Sequence, residues 1–300
     1  MRTSKPLTQN INMFAAVLFI PVVAGNFFLE NDSRRLPKIT ERQSLKEKPY
    51  MLFDPCRMEE AEKEPVSCSQ LRMRGENETG RQSFKLHETV NVMCDMKTGI
   101  GGWTLIQRRG PYEHNLRFFE RSETEYEKGF GDAESSYWIG NENLHLLTSF
   151  SSNKQVLMIQ LWKTDKESIT MEYGRFAVGS KDDQYQLSIG EYKKGGGNDA
   201  LTLHNGARFA TRSGKIGYST SSWCQDLQSG GWWFDKSGCD HSNLNGRKLK
   251  AAHPDISKGL GITWYNTSDR NSYKDTYHKV EMKIRDADLE FCMGNLIYGV

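Results

Sequence analysis

The sequence predicts an α+β domain whose second half is rich in loops and held in shape by crosslinks. Three observations predict it. β-Branched and aromatic runs bounded by turn residues recur between Trp103 and Ile189, the pattern of short strands. One segment, Tyr137 to Leu147, spaces Trp138, Leu144 and Leu147 as on a single helix face. From Gly190 onward glycines and polar residues dominate, with Gly195, Gly196 and Gly197 in series. A chain so poor in periodicity needs disulfides or metal ions to hold it, and six cysteines are present.

The elements follow in order. Residues 1–25 read as a secretory signal: Arg2 and Lys5 open it, Met13 to Val23 is apolar apart from Pro21, and the small residues Ala24 and Gly25 follow. The apolar run is shorter than the roughly 20 residues that cross a bilayer, so no membrane insertion is expected. Residues 26–64 are polar, carry Pro37, Pro49 and Pro55, show no sustained period, and read as a linker. Neither a Gly-X-Y repeat nor a heptad series appears, which excludes a collagen stalk and a coiled coil. The globular part is expected over residues 65–286. Trp103 to Gln107, Val156 to Trp162, Ile169 to Val178 and Tyr185 to Ile189 are predicted strands. Val280 to Ile284 alternates apolar and charged residues and predicts a half-buried final strand. Residues 287–300 form a tail without assignable chemistry.

Charge narrows the function classes. Forty basic side chains face 38 acidic ones for a net charge of +2, with no long one-sign run, so no nucleic-acid footprint is present. A mean hydropathy of −0.68 predicts solubility. The cysteines at 56, 68, 94, 224, 239 and 292 are even in number behind a signal, which suggests disulfides in an oxidising compartment. Spacing does not choose among the 15 pairings that six cysteines allow. No Cys-x-x-Cys pair supports zinc, and neither a zincin His-Glu-x-x-His nor a Gly-x-Ser-x-Gly elbow exists. Lys193-Lys194-Gly195-Gly196-Gly197 lacks P-loop spacing and reads as a flexible loop. No enzyme is expected. Sequons at Asn31, Asn77 and Asn266 would mark surface loops of a secreted chain.

One cluster is more specific. Gly230-Gly231-Trp232-Trp233-Phe234 is followed by Cys239 and then Ser242-Asn243-Leu244-Asn245-Gly246. Upstream stand Cys68, Cys94-Asp95-Met96, Gly101-Gly102-Trp103-Thr104, Gln107-Arg108-Arg109, Trp138 to Leu147 and His204-Asn205-Gly206; downstream stands Glu281 to Arg285. In this order the chain resembles the fibrinogen-related domain of fibrinogen chains, angiopoietins, ficolins and tachylectins, in layout closest to the stalkless tachylectins. The resemblance implies mixed or antiparallel sheets with short helices and a loop-rich C-terminal subdomain. It implies the disulfides Cys68–Cys94 and Cys224–Cys239. Cys56 and Cys292 flank the shared region, and either join each other or bridge two chains. The aromatic cluster is expected in the core, because large rings dominate burial, and His204 is expected to be structural.

The chain departs from the family at two places. Ser213 and Lys215 stand where the resemblance places the aspartates of a calcium loop; a lysine ammonium does not ligate calcium, so no calcium site and no other cofactor is expected. The family's acetyl pocket lies beside the second disulfide. It carries over onto Gly238, Cys239, Asp240, His241, Lys258 and Trp264, with the Gly238–Cys239 peptide sharply turned. Asp240 stands in a histidine's place, Lys258 and Gly259 where Tyr-Ala is expected, and Asp275 at a further wall position. These charged walls suit an altered ligand. The expected function is extracellular recognition of carbohydrate or acetylated groups on pathogen or cell surfaces by a homo-oligomer. The rival is an angiopoietin-like protein-binding or scaffold module.

Overall fold

A computed structural model gives the fold. It describes residues 39–42, 50–53, 64–110, 113, 115–149, 154–193, 197–211, 229–234, 241–249, 260–269, 271–272, 275 and 277–297. The expected signal at 1–25, Cys56, Cys224, Gly238, Cys239, Asp240, Lys258, Ser213, Lys215 and Asn31 lie outside these residues. No helix among the described residues is long and apolar enough to cross a membrane.

The first elements are β1 (Ile39–Arg42) and β2 (Tyr50–Phe53), paired antiparallel, Ile39 opposite Phe53. This hairpin lies within the stretch read as a polar linker. Helix α1 (Cys68–Met73) begins at Ser67, whose hydroxyl accepts from the Gln70 N–H. The hairpin of β3 (Gly80–Lys85) and β4 (Thr89–Asp95) follows, then β5 (Trp103–Arg109). Ser122 and Glu125 form a reciprocal capping box at the start of α2 (Glu123–Lys128). The short strands β6 (Phe130–Gly131) and β7 (Tyr137–Trp138) lead into α3 (Asn141–Thr148). Helical spacing was expected from Tyr137; instead Tyr137 and Trp138 extend along β5, with Trp138 opposite Gln107. The chain turns at Gly140 before helix begins.

Three long strands come next: β8 (Gln155–Trp162), β9 (Ser168–Val178) and β10 (Leu187–Lys193). Strand was expected from Tyr185, but Gln184 and Tyr185 adopt left-handed φ values of 54° and 52° and the strand starts two residues later. This turn aims their carbonyls inward: Phe209 N–H donates to the Gln184 oxygen at 3.0 Å and the Trp233 indole to the Tyr185 oxygen at 2.7 Å. The distal part contains β11 (Ala210–Thr211), β12 (Gly231–Trp232), β13 (Ser242–Asn243) and β14 (Thr263–Trp264). β15 (Lys279–Asp286) then closes the main sheet, and α4 (Leu289–Ile297) gives the tail a structure not foreseen. The main sheet has the order β10-β9-β8-β15-β5-β4-β3, with antiparallel neighbours throughout and β7 paired beside β5.

β15 was expected to be half-buried. It lies between β8 and β5, and Val280 to Asp286 are all buried. Its charged side chains are compensated. Lys283 Nζ donates to Asp95 at 2.7 Å, Arg108 meets Glu281 at 3.2 Å, and the Arg285 guanidinium lies 4.3 Å from the Trp103 ring centroid. Burial alone would raise the Asp95 carboxyl; the hydrogen bonds from Lys283 and Thr98 and the lysine charge outweigh it and hold the group at about 2.

Cys68 and Cys94 are bonded, with Cα atoms 5.4 Å apart, tying α1 to β4 across 26 residues. Loop closure over that length lowers the entropy of the unfolded chain by an amount worth about 3–4 kcal/mol. Cys292, on α4, is also in a disulfide, and its partner lies outside the described residues.

Candidate functional site

The distal part is assembled on the aromatic cluster foreseen in the sequence. Trp232 and Trp233 are fully buried, and Phe234 is buried. Trp233 packs edge-on to Phe209 and Trp232, with centroids 5.3 Å away in both cases. Its carbonyl lies 2.6 Å from Nδ1 of His204, itself fully buried, so that histidine is structural as expected. β12 pairs with β11, and Gly231 N–H donates to the Tyr126 hydroxyl at 2.8 Å. Tyr126 donates in turn to the Phe119 carbonyl at 2.7 Å, and its burial pushes the phenol well above the usual range. Gly230 has φ +71°, and a Cβ there would collide with the Asn245 carbonyl; only glycine fits this crossing.

The Ser242–Gly246 run is held from two sides. Asn243 and Asn245 reach back to β12 and its approach: Asn243 Nδ2 donates to Ser229 O at 2.9 Å and Asn245 Nδ2 to Gly231 O at 2.8 Å. From the main sheet, Gln107 Nε2 donates to Leu244 O and Asn245 Oδ1, both at 3.1 Å. Arg109, fully buried, donates to the carbonyls of Leu244 and Gly246. Its charge is balanced by Glu113, whose side chain is 2% exposed and which also accepts from Ser136 Oγ at 2.9 Å. The guanidinium stacks 4.4 Å from the Phe119 centroid. Arg247 pairs with Glu120, and Lys248 Nζ donates to the Gly110 carbonyl at 2.5 Å. Burial lowers the Lys248 ammonium below its ordinary range, against the opposing pull of Glu113. The distal strip is thus pinned to β5 and its following loop by buried cations that face backbone oxygens.

This scaffold carries the two described residues of the expected pocket. β13 pairs with β14, Ser242 opposite Trp264. Directly before β13, the His241 carbonyl accepts from Tyr265 N–H at 2.8 Å, and the two rings are 5.8 Å apart. Trp264 is 1% exposed and its indole N–H donates to the Asn198 carbonyl at 3.0 Å, so it underpins the surface rather than opening onto it. Asn198 Nδ2 donates to Tyr265 O at 2.6 Å and closes this small circuit. Asp275 is engaged by Lys163 at 2.8 Å. Of the expected site, His241, directly before β13, and Trp264, on β14, are therefore brought near each other, while Gly238, Cys239, Asp240 and Lys258 lie outside the described residues. Among the described residues no group of three His, Cys, Asp or Glu side chains is poised to hold a metal. Of the sequons, Asn77 is exposed and Asn266 half-buried.

The residues that position this region, Gln107, Arg109 and Glu113, were not foreseen as such. The available signal was period two on β5, which places Gln107 and Arg109 on one face of a strand that is buried almost throughout.

Comparison with known proteins gives a consistent result. The family described as "Fibrinogen beta and gamma chains, C-terminal globular domain" matches residues 64–287. Techylectin-5A of Tachypleus tridentatus is 34% identical over 239 residues, covering 77% of this chain and 77% of that protein. Angiopoietin-related protein 7 of Bos taurus is 37% identical over 202 residues, covering 67% of this chain but 55% of that protein. Among solved structures, the fibrinogen-like globe domain of human ANGPTL6 superposes with a TM-score of 0.64 at 30% identity, covering 75% of this chain and 99% of that one. The antiparallel sheet, the Cys68–Cys94 bridge and these similarities together establish that the chain belongs to the family of the fibrinogen C-terminal globular domain.

Proposed function

We propose that this protein is a secreted, non-catalytic recognition module that binds carbohydrate or acetylated groups on cell or pathogen surfaces, in the manner of an innate-defence lectin. The observation that carries the reading is the similarity to Techylectin-5A, which spans three quarters of both chains. The proposed ligand residues are Gly238 to His241; the Leu244–Gly246 strip that follows β13 is held by Gln107 and Arg109. Asp240 and Lys258 give the proposed site charge that a neutral acetyl pocket lacks, which directs it to sugars bearing both an N-acetyl group and a polar or charged substituent. Single-site lectin binding is weak, so the working form is a homo-oligomer whose multivalency supplies avidity. With Ser213 and Lys215 at the calcium positions, binding does not require calcium.

A second reading is supported by the similarity to angiopoietin-related protein 7 and to the ANGPTL6 globe domain: a protein-binding module with no sugar site. A glycan array separates the two. The lectin reading predicts retention of N-acetylated glycans in the presence of a calcium chelator, reduced at least about tenfold by Asp240→Ala, the loss of roughly one good polar contact. An array with no retained glycan contradicts it and favours the second reading.

A further inference from the structure

A separate cleft opens between the β3–β4 hairpin and the β6–β7 ribbon. Its volume is about 180 Å³, enough for one hexose-sized body. Neither His241 nor Trp264 lines it. Arg81 and Lys128 are among its lining residues, opposed by one carboxylate residue, Asp132, so the lining keeps a net positive charge. The Arg81–Asp132 contact is loose, a single 3.4 Å approach between side chains that are 44% and 49% exposed. A pair of that kind is worth little and leaves most guanidinium donors to a ligand.

The remaining lining fits a saccharide. Thr89 and Asn91 are exposed polar groups at the rim. Asn91 Oδ1 is engaged by Ser83 Oγ at 2.7 Å, so it is the amide nitrogen that Asn91 offers. Half-buried Phe130 supplies an apolar wall for a pyranose C–H face. The wall beneath is rigid. Gly131 holds φ +88°, where a Cβ would collide with the Ser136 carbonyl, and the neighbouring Tyr137 and Trp138 are buried. A preformed wall lowers the ordering cost of binding.

We propose that this cleft is a second ligand site, selective for a sugar bearing an anionic group, carboxylate or sulfate, with Arg81 and Lys128 taking the anion and Asp132 acting as an internal competitor for Arg81. The proposal is independent of the acetyl-directed site, so the probes carry no acetyl group. Calorimetric titration of the full chain with glucuronic acid, glucose 6-sulfate and glucose separates the cases. At least one acid is expected to bind about tenfold or more tighter than glucose, the ratio that two screened surface contacts supply. Binding by glucuronic acid alone assigns a carboxylate, and by the sulfate alone a sulfate; both support the site. The Arg81→Gln/Lys128→Gln double variant is expected to lose that preference with an unchanged melting temperature, because both side chains are exposed, and Asp132→Asn is expected to tighten binding. Equal binding of glucose, no binding of either acid, or undiminished acid binding by the double variant overturns it.

Discussion

Replacing Arg109 by Met is expected to lower the free energy of unfolding by about 3–5 kcal/mol, the usual consequence of leaving one half of a buried ion pair without its partner. The geometry explains the size. Methionine roughly replaces the stem but none of the donors, so Glu113 stays buried with the Ser136 hydroxyl and the more distant Lys248 charge as its remaining partners. The carbonyls of Leu244 and Gly246 lose the guanidinium that faces them. Because those carbonyls belong to the strip that leads from β13 to the Arg247–Gly261 bridge, the distal part loosens as well. Adding Glu113→Gln to Arg109→Met removes the stranded charge, and the double variant is expected to be more stable than Arg109→Met alone. Urea unfolding of the three proteins measures this. A loss under about 1 kcal/mol for Arg109→Met would show that the pair does not join the two regions.

Trp233→Ala is expected to cost about 3–5 kcal/mol by the same assay, through a cavity in place of a fully buried ring. Trp233 touches rings from three other parts of the chain, Trp138, Phe176 and Phe209, and the ring of its neighbour Trp232. Its indole N–H also satisfies the Tyr185 carbonyl at the left-handed turn. Trp233→Phe fills much of the space but leaves that oxygen without its donor, which predicts a smaller loss of about 1–3 kcal/mol. Equal losses for Ala and Phe would assign the effect to the hydrogen bond rather than to packing.

These two residues show which parts of the structure were legible in the sequence. The Trp232-Trp233-Phe234 cluster was readable because aromatic mass next to paired glycines has few places to go except a core. The long strands around β8 and β9 were readable from β-branched runs. β15 misled because Glu281, Lys283 and Arg285 alternate with Val280, Met282 and Ile284, a pattern that normally marks a solvated face. Here Asp95, Arg108 and Trp103 on neighbouring elements help to compensate the charges, beside the nearer partners Lys279 and Glu290, and the distant partners leave no local trace. Arg109 was hidden for the same reason: its partners Leu244 and Gly246 lie 135 and 137 residues away. The start of α3 was placed too early because Trp138 satisfies helical spacing while pairing with Gln107 as strand. The hairpin β1–β2 lies in a stretch whose polar composition shows no period, and α4 beyond the recognisable pattern. The candidate site was legible only as far as the resemblance carries it, to His241 directly before β13 and Trp264 on β14. The proposed ligand-facing chemistry falls on Gly238, Cys239, Asp240 and Lys258, outside the described residues.

The most direct measurement is a crystal of the protein grown under non-reducing conditions and soaked with N-acetylglucosamine. The expected result is Cys224 joined to Cys239, with the acetyl group seated against the Gly238–His241 segment and within reach of Asp240. Free thiols at Cys224 and Cys239, or a sugar that is absent from this surface at saturating concentration, would contradict the account.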